Sequence, residues 1–463
     1  MKTGNRAHVW LFGGIFLLLF CVTMPASLAE KGIGLNGDNG MNKVVVTAKK
    51  TGPQTGSDLS LREVERIAGG LGTKEYTYTA RPAFSRVPVK AGGAGFPSTV
   101  IGTNHRLPRF SRMEMLFGSF FTETAEREGG NVAVIDDRLA WNAFRTGNAV
   151  GETLEIYGRP FRITGVVKRD ASIAGKLTDD GFPQVFIPGE RLFELDSQAT
   201  IPVVEVKTEE GGTMDRNRPS VSAALQEAGK NPSDYSIVDF NIKRALLEQK
   251  PDMIVFISGC VIILILAAWI RDVLKELIPA LRRECRTDYL MGVIRKNAGR
   301  TGVAAGKVLT ALGAMFLTAA GMRFSLFIPP ALIPEELIDI PFYFELIHAG
   351  IRSGLENQGY MAGTAETLFN RLDMLTGWPL AIISAAGFLA IYAGLGKLKL
   401  LHVQIHRLAL ACGLFTLLCA MLLAASAGAL GLPFRLETAD VLIVWTFIYL
   451  NIFYCHYKSE KGS

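Results

Sequence analysis

The stretch Asn131-Val132-Ala133-Val134-Ile135-Asp136-Asp137-Arg138-Leu139-Ala140-Trp141-Asn142-Ala143-Phe144 reads as a strand, a capped turn and a helix. Apolar and β-branched side chains over 131–135 suit a buried strand. Asp136-Asp137 supplies a carboxylate that can accept from the free N–H groups at the start of a helix running through Phe144. Thr153 to Tyr157 and Phe161 to Val167 then alternate apolar and polar positions on either side of Gly158-Arg159-Pro160, the pattern of a β-hairpin. Short strands mixed with short helices define an α+β domain.

Outward from this centre, Tyr76 to Thr79, Ser98 to Ile101, Gln184 to Ile187 and Val203 to Lys207 read as further strands, and Val44-Val45-Val46-Thr47 as a first one after a linker rich in Gly, Asn and Lys. Leu59 to Ile67 has helical spacing with Ser57 or Asp58 as N-cap, and a second helix is expected over Ser220 to Glu227. The domain is bounded on both sides by apolar runs. Crossing a hydrocarbon core takes roughly 17 to 25 apolar residues. Six stretches qualify, at 7–29, 253–270, 302–328, 378–396, 408–434 and 441–457, the third interrupted only by Lys307 and Arg323, which are long enough to snorkel. The expected fold class is therefore an α-helical membrane bundle of about six transmembrane helices with a large inserted extracytoplasmic α+β domain at 30–252.

Composition agrees: 49% of residues are hydrophobic, 20% are charged and the mean hydropathy is +0.25. The net charge of +6 is too small to indicate a nucleic-acid partner. Residues 30–252 hold 29 Lys or Arg and 29 Asp or Glu, so the surplus lies elsewhere. With the N-terminus inside, residues 1–6, 271–300, 397–407 and 458–463 carry 15 cations against 5 acids. The connection 324–376 carries 2 cations and 7 acids. Cations collect in short cytoplasmic loops, so the expected place is a bacterial cytoplasmic membrane, multi-pass, with both termini cytoplasmic and 30–252 outside. The six cysteines, Cys21, Cys260, Cys285, Cys412, Cys419 and Cys455, all fall outside 30–252, so the exported domain is held without disulfides. Lys2, Arg6, the apolar run and Ser27-Leu28-Ala29 also suit a cleavable signal peptide. The run exceeds the roughly 7 to 15 residues of a signal core, which favours a retained anchor.

Over about Thr99 to Pro188 the sequence resembles the MacB-like periplasmic core domain of ABC-transporter permeases of the MacB/FtsX type. The residues that carry the likeness are Val100-Ile101-Gly102-Thr103-Asn104, Leu116-Phe117-Gly118-Ser119-Phe120-Phe121-Thr122-Glu123, the central strand and helix, Asn148 to Leu154, the hairpin, and Val185-Phe186-Ile187-Pro188. The resemblance implies a domain between the first two spans, no enzymatic activity in the chain itself, no cofactor or metal, and a separate cytoplasmic ABC ATPase partner. It also implies a homo- or heterodimer of permease subunits in the lipid bilayer, working by mechanotransmission to export or extract a substrate. The ATPase would press on a coupling loop at 271–301. There Gly292-Val293-Ile294-Arg295 is similar to the family's coupling stretch, and Arg282, Arg283 and Glu284 flank it. Leu290 stands where the family has an acid, and Lys296-Asn297 replace small or apolar residues. Those departures support an alternative, a membrane signalling or scaffold protein that kept the exported domain without an ATPase. Spans five and six go beyond the family's usual four. The connection at 329–377, with Pro329-Pro330 and the aromatic-acidic run Glu335 to Glu345, suits either a surface loop or an amphipathic helix on the outer membrane face.

Chemistry is otherwise sparse. Gly32 to Gly37 is formally GxGxxG, but no strand precedes it and no amphipathic helix follows. Gly302-Val303-Ala304-Ala305-Gly306-Lys307-Val308 lacks the spacing and the Ser or Thr of a Walker A loop. His402 and His406 stand at i and i+4 without the Glu of a zincin site, and Asp136-Asp137 and Asp179-Asp180 suit capping and turns better than acid–base work. His105 and His348 do not assemble a Ser-His-Asp hydrolase.

Overall fold

The structure, a computed structural model, describes residues 2–34, 38–49, 59–169, 179–208, 217–284, 289, 297–322, 341–342, 344–345, 371–399 and 404–462. Two compact units divide the chain: 29–246 with 327–373, and 1–28 with 247–326 and 374–463.

The first unit is β-rich. Its strands are β1 (Lys43–Ala48), β2 (Tyr76–Arg81), β3 (Val87–Ala91), β4 (Ala94–Thr103), β5 (Glu114–Gly118), β6 (Val132–Asp136), β7 (Thr153–Ile156), β8 (Arg159–Lys168), β9 (Gln184–Pro188), β10 (Thr200–Lys207) and β11 (Tyr235–Asp239). They lie in the order β11-β1-β10-β2-β4-β3-β7-β8-β6-β9, and β9 returns to pair with β4 in parallel. Strands β4, β3, β7, β8, β6 and β9 therefore close a six-stranded ring, a construction that leaves no edge among its members. A four-stranded antiparallel flank, β2-β10-β1-β11, joins the ring through Ala80 opposite Gly102. Strand β5 adds to β8 outside the ring.

Side chains of period two separate two cores. Val100, Ala133, Ile135, Val185 and Ile187 enter the larger one; their neighbours Ile101, Val134 and Phe186 pack with Leu107, Phe121 and Val167 on the opposite face. Burial on both faces is why the Val-Ala-Val-Ile run contains no polar alternation.

Local chemistry sets the details. The helix Asp137–Phe144 starts at Asp136, whose Oδ1 accepts from the Leu139 N–H at 2.8 Å, and ends at Arg145 in the left-handed region with φ 55°. The hairpin turns one residue earlier than the sequence suggests. Tyr157 and Gly158, with φ of 51° and 77°, form a two-residue turn, and Arg159 already pairs with Ile156. A turn of this hand needs two positive φ values, which Pro160 cannot supply. Pro160 sits in β8 opposite Glu155, before pairing with β6 begins at Arg162. The helix expected over 59–67 is Leu61–Gly70, and its cap is Ser60 rather than Ser57 or Asp58, because Glu63 three residues on accepts from the Ser60 N–H at 2.7 Å.

Among the described residues of the second unit and its flanks, six helices are long and apolar enough to cross a membrane: Lys2–Gly34, Phe240–Glu284, Ala298–Gly321, Trp378–Lys399, Ile405–Ala429 and Thr438–Gly462. The first and fourth meet backbone to backbone. A Cβ on Gly14 would lie 2.7 Å from the Gly387 carbonyl, and one on Gly394 would lie 2.7 Å from the Leu11 nitrogen and 3.0 Å from the Ala7 carbonyl. Such approach drives helix association in lipid. The fifth and sixth helices are joined to this pair and to each other. Phe12 packs on Phe415 at 4.7 Å, Phe447 meets Phe388 edge-on at 5.5 Å, and the Trp445 indole donates to Thr416 Oγ1 at 2.6 Å. Of the small-residue runs, Gly387 lies in a tight crossing, whereas Gly428 has no neighbour within 4 Å among the described residues.

Candidate functional site

The exported domain passes into the second span without a linker. Strand β11 ends at Asp239 and the next helix begins at Phe240. Asp239 Oδ1 accepts from the Asn241 N–H at 2.9 Å, satisfying a donor at the helix start, while Oδ2 accepts from the Asn217 amide at 2.8 Å. Burial raises the Asp239 carboxyl above its ordinary range, and these bonds oppose the shift. Beside it stands Lys43 at the start of β1, fully buried. Its Nζ donates to Glu205 Oε2 on β10 at 2.6 Å and to the Phe110 carbonyl at 2.8 Å, and lies 5.0 Å from the centre of the Phe240 ring. A buried ammonium needs every one of those partners. One side chain thus gathers two strands, a short helix and the first residue of the second-span helix. Neither Lys43 nor Glu205 belongs to a recognised motif; the signal that marks them is a charge at the head of, or inside, an apolar β-branched run.

At the other end of the same helix, Arg282 and Arg283 occupy the last turn and are exposed; Glu284 is its final residue. Cations there complement the carbonyl end of the helix. Gly292, Val293, Ile294 and Arg295 lie outside the described residues, as do Leu290, Lys296 and most of 329–377. Asn297 precedes the helix Ala298–Gly321. Of the expected coupling surface, only the flanking part, Arg282, Arg283 and Glu284, lies among the described residues.

The remaining motifs resolve locally. Gly302 to Lys307 is helical, not the strand-loop-helix that a phosphate cradle requires. Asp179 and Asp180 accept from the Gly181 and Phe182 N–H groups at 2.9 and 3.0 Å as turn residues; Asp179 also pairs with Arg138 at 2.7 Å. His402 lies outside the described residues, and among the described ones no three His, Cys, Asp or Glu groups converge as metal ligands.

A bundle of apolar helices with a β-rich domain inserted after the first of them defines a multi-pass membrane protein with an extracytoplasmic segment. Residues 23–224 match the family profile described as MacB-like periplasmic core domain. The pyoverdine export ATP-binding/permease protein PvdT of Pseudomonas syringae pv. syringae is 25% identical over 165 residues, 33% of this chain. The chain spans only about a quarter of that relative, 24% of its length. Among solved structures, the periplasmic region of MacB from Actinobacillus actinomycetemcomitans is 18% identical with a TM-score of 0.36, covering 47% of this chain and 95% of that one. The extracellular domain of the ABC-type transporter YknZ from Gram-positive bacteria is 14% identical with a TM-score of 0.35, covering 42% and 100%.

Proposed function

We propose that this chain is a permease that couples ATP hydrolysis by a separate cytoplasmic ABC ATPase to movement of its exported domain, exporting or extracting a substrate by mechanotransmission. The observation that carries the reading is the helix Phe240–Glu284, 45 residues long. Its uncharged run 253–270, at 1.5 Å per residue about 27 Å long, matches a hydrocarbon core of roughly 30 Å. The helix starts on the last strand of the exported domain and ends in the cationic turn at Arg282 and Arg283. Both termini are cytoplasmic in this reading, 30–252 is outside, and two permease subunits act together. Gly292, Val293, Ile294 and Arg295 with Arg282, Arg283 and Glu284 form the ATPase contact.

The test is affinity purification of the full chain in mild detergent after crosslinking. Recovery of an ATPase whose stimulated hydrolysis falls at least tenfold with Gly292→Trp or Arg295→Glu is expected. Leu290 and Lys296-Asn297 favour the second reading, a signalling or scaffold protein without an ATPase. Purification without any ATPase, together with unaltered behaviour of both variants in cells, would establish it.

A further inference from the structure

The second-span helix does not lose its apolar face where its apolar run ends. Its exposed side continues through Ile257, Leu264, Ala267, Arg271, Leu274, Lys275 and Ile278, at spacings of three, four and seven residues, which place them along one side of an α-helix. Leu264, at 68% exposed, belongs to the uncharged run 253–270, whereas Leu274 and Ile278, at 37% and 55%, lie past Arg271, which in the orientation proposed above, on which this inference rests, is where the cytoplasmic headgroups begin. A shallow concavity runs along this face between Ala267 and Pro279. Opposite, Val273 is buried, and Asp272 is half-buried on the flank, 3.5 Å from the Arg271 guanidinium. By helical geometry Arg271, Lys275 and Arg282 fall on the arc of Leu274 and Ile278, whereas Asp272 and Glu276 fall about 100° or more from its centre. Positive charge and apolar surface share one stripe, and negative charge is kept off it.

We propose that this stripe binds an anionic phospholipid of the cytoplasmic leaflet. The phosphate lies between Arg271 and Lys275, one helical turn apart; the acyl chains lie against Leu264 and Ala267, and Leu274 and Ile278 cover the glycerol region. Charge complementarity chooses an anionic headgroup over a zwitterionic one. Continuity with the hydrocarbon-facing side of the span chooses a lipid over a soluble anion, because a free phosphate gains nothing from the apolar positions.

The test uses the full chain in detergent, observed by native mass spectrometry while phosphatidylglycerol or phosphatidylcholine with identical acyl chains is titrated in. Retention of phosphatidylglycerol in preference to phosphatidylcholine is expected, with inorganic phosphate unable to displace it. The pair Arg271→Gln with Lys275→Gln should weaken retention roughly 30-fold, from about fivefold per cation at a membrane surface. Leu274→Gln with Ile278→Gln should weaken both lipids alike. Unchanged thermal melting and a monodisperse elution profile establish that each variant is folded. If the pair fails this check, the single variants Arg271→Gln and Lys275→Gln replace it, each expected to weaken retention of phosphatidylglycerol about fivefold. Equal retention of the two lipids by the wild type, a preference that survives loss of both cations, or protection of this face by a co-purified protein in place of lipid would overturn the proposal.

Discussion

Lys43 carries a charge to a place where water does not reach, and Asp136 does the same with the opposite sign. Breaking a buried pair leaves the surviving charge uncompensated, at a cost of about 3–5 kcal/mol. Lys43→Met should therefore lower the melting temperature of the full chain in detergent more than any exposed lysine replacement does. Adding Glu205→Leu should restore part of the loss, since the orphaned carboxylate is then removed. Asp136 titrates. Burial pushes its carboxyl up to about 6, against the Leu139 and Gln184 N–H groups and Arg169, which favour the anion. The folded value lies above the unfolded value of about 3.9. The contribution of this residue to stability is therefore complete below pH ~4 and lost as pH rises through about 6, on the order of 3 kcal/mol in all. Asparagine caps a helix as well as aspartate does. Asp136→Asn should thus flatten melting temperature against pH between 4 and 6.5 and raise stability at pH 7.5. A wild-type profile without a fall over that interval would contradict the assignment.

The strands divide by what side-chain patterning could and could not specify. The strands that alternate or run apolar, Val132–Asp136, Thr153–Ile156, Arg159–Lys168 and Gln184–Pro188, were legible because burial dictates their composition. Strand β3, with Pro88 inside it, and β11, Tyr-Ser-Ile-Val-Asp, were not. Strand β3 forms a tight hairpin with β4 through Gly92 and Gly93, both at positive φ, but its other partner β7, like the β1 partner of β11, lies far away in sequence. The root of the second span was equally hidden, because Lys43, Glu205 and Phe240 become neighbours only through that pairing. Turns illustrate the same limit: the hairpin was evident from its glycine, but its register followed from two positive φ values. Glycines separate two kinds of cost here. At Gly158, with φ 77° and no contact closer than 3.9 Å for an added Cβ, Gly158→Ala should cost about 1–2 kcal/mol of backbone strain. At Gly118, with φ 68°, the Cβ would also lie 2.1 Å from the Thr164 carbonyl, so Gly118→Ala should cost clearly more in parallel melts. In the membrane unit Gly14→Leu should prise the first helix from the fourth, read as loss of a disulfide engineered across that crossing.

For the whole molecule, the modest net charge fits the proposed topology, because residues 30–252 are balanced and the excess of cations sits in short connections. In a variant without native cysteines, an impermeant maleimide should label Phe84→Cys, 72% exposed in wild type, on intact cells, and Arg283→Cys only after lysis. The reverse pattern would invert the proposed orientation. The order of strands adds a mechanical point. The chain enters the domain from the first span along β1 and leaves toward the second along β11, and these two are hydrogen-bonded antiparallel neighbours, with Val44 opposite Asp239. Both attachment points therefore lie at the same end of one ladder. A load that separated the two spans would act on this ladder as on a zipper, breaking its rungs in succession from Val44 and Asp239, whereas the closed six-stranded ring would be carried along intact. Under such a load Lys43, next to the first rung and bonded to Glu205, would be among the first contacts strained.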